Sequence, residues 1–285
     1  MAKIRVVCDS ASDLPQSELE RLEIDMVSLS IRFGDDEFVD RVTLSTEEFW
    51  RRCAQSRTLP ETSAPAPGAF RDAYEKAANE GCDGVIVVTL SAALSGTYQA
   101  AVVARDAVAE LIDVRVIDST AVSMAQGLLA IDIAERAAQG TSLDELEQLA
   151  RGLVSRVGIV GMLDTLDHLI KGGRVGGAKA LIGQVLSIKP LLELRDGVVA
   201  ESGRQRTAAR AMASLAATAR SHAPLRRFAL IHAQSTQVAN LSAMVIDVAT
   251  EFPMLIADMG PTVGTHGGPG LIALAWLEAP PGDRH

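Results

Sequence analysis

Aromatic side chains are scarce in this chain: Phe, Trp and Tyr make up 4% of its 285 residues. Its core must be built from Val, Leu, Ile and Ala, and a hydrophobic content of 48% is ample for that. Positive charge is also short. Lys and Arg number 27 against 36 Asp and Glu, a formal net charge of −9, which argues against a nucleic-acid-binding face. Cys8, Cys53 and Cys82 form an odd count with no CxxC spacing, so reduced thiols are expected rather than a disulfide framework. No stretch reaches the ~18 apolar residues of a membrane span. The apolar run in "MAKIRVVCDS" is too short for a secretory signal. A soluble, cytoplasmic protein of one large or two ordinary domains is the expectation.

What is present is an alternation of strand-like and helix-like segments. Ile4 to Cys8 reads as a short buried strand ending at Asp9, and "SDLPQSELERL" as a cap, a proline in the first turn and a helix. Val27, Leu29, Ile31 and Phe33 alternate, which predicts one strand with one buried face. Ser45 and Glu48 have capping-box spacing and open a helix through Trp50 and Cys53. "GAFRDAYEKAANEG" is a helix closed by Gly81, "GVIVVTL" a buried strand, and another helix follows Gly96. "VRVID" is the next strand, residues 122–138 an Ala-rich helix, and Ser142 with Glu145 caps a helix to about 156. Beyond "GIVGM", "TLDHLIKGGRVGGAKALIGQVL" predicts two short helices broken by glycines. "IKPLLELRDGVVAES" predicts a hairpin turning at Asp196-Gly197. Helices over 207–221 and 236–250 and strands over 227–232 and 253–257 follow. The expected fold class is α/β, with an N-terminal α/β domain over 1–160 whose sheet is mainly parallel and flanked by helices, and a C-terminal α/β domain over 161–285.

Three loops rich in hydroxyls, glycine and proline carry the candidate chemistry: "TSAPAPGAF", "TLSAALSGTYQAA" and "GPTVGTHGGPG". In open α/β sheets ligands collect beyond the carboxyl ends of the strands. Ser95, Gly96 and Thr97 lie at a strand-to-helix turn, where backbone N–H groups favour an anion, although Ser91 or Ser95 serving only as a helix cap is an equal reading. "GPTVGTHGGPG" is too rich in Gly and Pro for a helix or a central strand and is expected to be a shaped loop presenting His266. Other motifs fail. "ALSGT" lacks the glycine of a nucleophile elbow, "GGRVGGAK" lacks phosphate-loop spacing, and the histidines show no metal spacing.

"DSASDLP", "TSAPAP" followed by Phe70, "LSGTYQAA", "KGGRV", "RQRT" and "GPTVGTHGGPG" occur in this order along the chain. Together they resemble the DegV family of bacterial fatty-acid-binding proteins. The resemblance implies two α/β domains with the ligand between them, the C-terminal one closing over it. The ligand would be one long-chain fatty acid, with its tail in an apolar tunnel, and no cofactor. It implies a carrier, not an enzyme: the carboxylate is presented to a separate ATP-dependent fatty acid kinase. The acyl phosphate then passes to phospholipid synthesis through an acyltransferase or transient contact with a membrane surface. Thr62, Ser63, Ser95 and Arg174 match the family's head-group motifs. His266 is the matching loop histidine, with Thr265 beside it as a second donor and Gly96 in the helix start. Arg206 matches a basic segment that meets the kinase. Ala66 and Ala92 stand where family members often have serine, which removes a potential head-group hydrogen bond. Core packing explains the Leu, Ile and Val between Ile159 and Leu194 as well as a tunnel lining does. A serine hydrolase using Ser95 and His266 is the alternative reading, and a sugar- or phosphate-binding regulator a third.

Overall fold

The computed structural model describes residues 2–56, 58–181 and 188–280. The last five residues of "TLDHLIKGGRVGGAKALIGQVL" and His285 lie outside them. The chain begins with β1 (Ile4–Asp9), α1 (Gln16–Arg21), β2 (Asp25–Val27), β3 (Ser30–Phe33), β4 (Asp36–Val39), α2 (Thr46–Gln55) and β5 (Glu61–Ser63). There follow α3 (Pro67–Asn79), β6 (Gly84–Thr89), α4 (Thr97–Ala107), β7 (Asp113–Asp118), α5 (Met124–Ala138) and α6 (Leu143–Val154). The remainder is β8 (Val157–Met162), α7 (Asp167–Lys171), a 3-10 turn over Gly176–Leu181, β9 (Lys189–Arg195), β10 (Val198–Gln205), α8 (Ala208–Ser221), β11 (Leu225–His232), α9 (Val238–Met244), β12 (Leu255–Asp258), α10 (Pro261–Gly267) and β13 (Ile272–Glu278).

The four strands β2-β1-β6-β7 form a parallel sheet. Its strands are apolar on both faces, as helices on both sides demand. Val6, Cys8, Ile86 and Val88 pack toward α5 and α6, while Val7, Val85 and Val87 pack toward α3 and α4. The six strands β10-β9-β8-β13-β11-β12 form a mixed sheet in which only β11 and β12 run parallel. Helix α5 is apolar nearly all round, and such a helix belongs inside. It lies between the two sheets: its residues share one core with Ile86 on one side and Ala229, Ile231 and Ala275 on the other. Asp132 of α5 is buried and accepts from the Nε of Arg227 at 3.2 Å, so the helix is also held to β11 by charge.

The cap signals form as their chemistry requires. Ser45 accepts from the Glu48 N–H, and Ser142 and Glu145 close a complete capping box. Asp196 and Gly197 both take positive φ, 52° and 77°, which a two-residue turn between twisted strands needs.

Several expectations require correction. The alternating segment from Val27 to Phe33 is two strands in two sheets: β2 joins the parallel sheet, whereas β3 sits between β4 and β5 in a small antiparallel one. Period-two burial continues across the break, so alternation alone does not reveal the change of sheet. The helix expected over 236–250 stops at Met244, where Val245, Ile246 and Val248 bring β-branched side chains. β13 is the central strand between β8 and β11, yet its apolar run is buried on both faces and carries no alternation to mark it. The segment expected to be a loop around His266 is helical over Pro261–Gly267. Proline suits the first helical position because its missing N–H would have had no partner there. The glycines are tolerated because the turn is packed: a Cβ on Gly264 would come within 2.8 Å of the Trp50 ring.

Candidate ligand-binding site

Between the carboxyl ends of β6 and β7 and one face of the six-stranded sheet lies a cavity open to solvent, with about 940 Å³ of empty space when the solvent at its mouth is counted. Its walls follow from strand alternation. On β8, Ile159 and Gly161 face the cavity while Val160 and Met162 face the opposite core; on β9, Leu192 and Leu194 face it. Gly161 pairs with Ala273 of β13, and a Cβ on Gly161 would stand 3.1 Å from that of Ala273. Two small residues side by side thus open the floor of an otherwise aliphatic chamber. Leu90 and Leu94 enter from the loop after β6, Val122 and Ser123 from the loop after β7.

Ser123 and Glu193 also line the cavity, but the Ser123 hydroxyl is taken by Asp13 and the Glu193 carboxylate accepts from Ser202; the other polar groups come from four segments. β5 supplies Thr62, the turn before α4 supplies Ser95, the segment after α7 supplies Arg174, and α10 supplies Thr262 and His266. The Thr62 hydroxyl and His266 Nε2 are 2.9 Å apart. The Ser95 hydroxyl pairs with that of Thr97 at 2.8 Å. Arg174 donates from Nε to the Leu94 carbonyl at 3.2 Å and from Nη1 to the Gly172 carbonyl at 2.7 Å. These bonds fix the guanidinium beside the cavity. Burial, then the positive charge of Arg174, then His168, push the His266 imidazole down to about 4, so its ring is neutral at pH 7. Its Nδ1 is buried with no hydrogen-bond partner among the described residues and faces Gly172, where any side chain would collide with it.

Thr62, Ser95, Arg174 and His266, far apart in sequence, therefore line one cavity. Ser63 does not, because it follows Thr62 on a strand and turns to solvent. Thr265 does not either. One position before His266 on a helix, it points into the protein, where its hydroxyl donates to the Pro261 carbonyl and its own carbonyl accepts from the His168 ring. Gly96 stands outside the lining as the N-cap of α4, against Ala64. Arg206 is exposed between β10 and α8 and is not a cavity residue. Thr262 is absent from the sequence-based candidates, although it stands four residues before His266. Helical spacing reveals it only once the segment is known to be a helix. With Ser95 bonded to Thr97 and His266 to Thr62, no serine–histidine pair forms, and the hydrolase reading has no support. Among the described residues no group of His, Cys, Asp or Glu could hold a metal ion, and no helix is long and apolar enough to cross a membrane.

Comparison with known proteins gives a consistent result. Residues 3–279 match the model of the DegV family of uncharacterised proteins. A DegV domain-containing protein of Streptomyces coelicolor is 36% identical over 279 residues, spanning 95% of this chain and 97% of the relative. The DegV family protein of Thermus thermophilus, whose structure concerns fatty acid binding, superposes with a TM-score of 0.88 at 29% identity, over 97% of this chain and 100% of that one. DegV of Bacillus subtilis, a fatty acid binding protein, superposes with a TM-score of 0.84 at 30% identity, over 98% of this chain and 100% of that one.

Proposed function

The chain belongs to the DegV family, and from that membership and its cavity we propose that it binds one long-chain fatty acid as a carrier rather than an enzyme. The observation that carries the reading is the asymmetry of the cavity: an aliphatic chamber with one polar cluster built from Thr62, Ser95, Arg174 and His266. A fatty acid has the same asymmetry. Each methylene moved from water into such a lining contributes about 0.8 kcal/mol, so ~15 of them offer on the order of 12 kcal/mol before ordering costs. That is enough for tight binding with few polar contacts. The carboxylate would take its hydrogen bonds from the hydroxyls and His266 and its counter-charge from Arg174.

In the same reading the two sheets belong to two domains divided near residue 160, which close over the ligand. The protein acts in the cytoplasm and presents the carboxylate to a separate kinase that brings the ATP. The acyl phosphate then goes to phospholipid synthesis. Arg206 is exposed beside the start of α8, where a partner can reach it without disturbing the cavity.

The test is organic extraction of protein purified without added lipid, followed by mass spectrometry. Near one equivalent of a long-chain fatty acid is expected. Extracts without fatty acid, together with no uptake of added palmitate or oleate, would overturn the reading.

A further inference from the structure

The segment "DSASD", which starts at the last residue of β1, lies outside the cavity lining, yet Asp9, Ser10, Ser12 and Asp13 are all buried. With Asp40, two of these residues make a set of three buried carboxylates, each of which reaches a cavity residue from behind. Asp9 accepts from the Leu90 N–H at 2.8 Å, Asp13 from the Ser123 hydroxyl at 2.6 Å, and Asp40 from the Thr262 hydroxyl. Leu90, Ser123 and Thr262 all line the cavity.

Helix α10 needs such support. It has seven residues, and an isolated helix below ~12–15 residues is marginal in water even with good helix formers. Gly264 and Gly267 weaken it further. Its N-cap is Gly260, which has no side chain to satisfy the first-turn donors. The acids supply what the local sequence lacks. Asp13 Oδ1 accepts from the Gly260 N–H at 2.9 Å, and a Cβ at position 260 would itself stand 2.9 Å from that oxygen. Asp40 takes the Thr262 hydroxyl and is fixed in turn by the Ser10 hydroxyl at 2.8 Å. Thr262 and His266 are one helical turn apart, so a displacement of Thr262 carries the imidazole with it.

We propose that Asp13 and Asp40 are positioning residues for the head-group site, holding the start of α10 so that His266 stands against Thr62. The ligand named in the binding arm below rests on the fatty-acid reading; the positioning itself does not. At pH 8 Asp13 is ionised even with burial raising it to about 7, and it uses both oxygens as acceptors, one for Ser123 and one for Gly260, so Asp13→Asn turns a donor toward one of two donors. Thr262→Val removes the hydroxyl that Asp40 accepts. Asp9 is equally buried but holds Ala11, Leu90 and Gln126 and no atom of α10. It serves as the control for general loosening.

The experiment uses the delipidated full chain labelled with 15N-histidine, at pH 8. The His266 imidazole resonance is identified by its loss in His266→Ala, and His222 and His232 report the integrity of the fold. Asp13→Asn and Thr262→Val should shift the His266 resonance while those of His222 and His232 hold, and Asp9→Asn should leave it in place. Both α10 variants should weaken palmitate binding roughly tenfold, the scale of one hydrogen bond lost at a charged group. If Asp13→Asn fails to fold, Thr262→Val decides. An unmoved His266 resonance in the folded α10 variants, or an equal shift in Asp9→Asn, overturns the proposal. Wild-type protein that takes up no palmitate defeats the fatty-acid reading instead. The positioning is then decided by the His266 resonance alone, which is measured without ligand.

Discussion

At the scale of single residues, the types of the head-group candidates are legible in the sequence and their directions are not. Hydroxyls and a histidine in Gly- and Pro-rich segments announce Ser95 and His266, whereas Thr62 and Arg174 are picked out through the resemblance of their motifs to the DegV family. Ser63 and Thr265 sit next to two of them and point away, because strand alternation and helical rotation send neighbours to different faces. The neutral ring of His266 gives a pH prediction. Its pKa lies at about 4 in the free protein because burial and Arg174 oppose the charged form. An ionised carboxylate brought beside it favours the charged form, so binding must raise that pKa. Binding then takes up a proton between the free and the bound value, and affinity rises as pH falls across that window. His266→Ala should weaken binding by ~1.5–3 kcal/mol, as for a hydrogen bond to a charged group. The loss should be equal for acids of different tail length if, as proposed, the tail lies in the aliphatic chamber. Dissociation constants for a series of acids at several pH values check both statements. A loss that grows with tail length would place the ring away from the carboxylate.

At the scale of elements, caps and turns are legible because their signals are local. Ser45, Ser142 and Asp196-Gly197 act through residues no more than three positions away. Helix α10 and strand β13 are not legible, because what makes them comes from elsewhere in the chain. Propensity argues against α10, and packing against Phe49 and Trp50 of α2 outweighs it. The conflict can be measured at Gly264. In an open helix Gly→Ala gains up to ~1 kcal/mol. Here the added Cβ would stand 2.8 Å from Trp50 Cζ2 and 3.0 Å from Phe49 Cε1, so overpacking should win. Gly264→Ala is expected to lower stability by ~1–3 kcal/mol in urea titration. It should also disturb fatty-acid binding, because the same turn carries Thr262 and His266. A variant as stable as the wild type would mean that packing against Phe49 and Trp50 does not hold α10.

At the scale of the whole molecule, the alternation of strands and helices in the first half is sufficient to give the parallel sheet, whereas the burial of α5 between two sheets emerges only when both are assembled. Assembly also buries charge, and that sets how stability depends on pH. Burial pushes Asp9 and Asp13 up to about 7 from an ordinary 3.8, against the pull of their hydrogen-bond donors, and raises Asp40 in the same direction. Arg41 acts against the rise at Asp13 and Asp40, and Asp40 adds to it at Asp9 and Asp13. A folded pKa above the unfolded one means stability that is complete below about 4 and is lost as pH climbs to about 7. His266 works the other way: with a folded value of about 4 against an ordinary 6.5, it contributes stability above 6.5 that is lost as pH falls. The depressed carboxyls Glu48, Glu145 and Asp247 change only at or below their ordinary values of 4.5, 4.5 and 3.8, outside the interval from pH 5 to 7. In that interval two carboxyls that hold protons only when folded oppose one imidazole that holds a proton only when unfolded. The folded chain binds the greater number, so stability must fall as pH rises. Delipidated protein should accordingly show a higher urea midpoint at pH 5 than at pH 7. Asp9→Asn, which stays neutral at both, should narrow the gap even where it lowers both midpoints. A midpoint that rises from pH 5 to pH 7 would show that Asp9 and Asp13 are ionised throughout, with their hydrogen bonds outweighing burial.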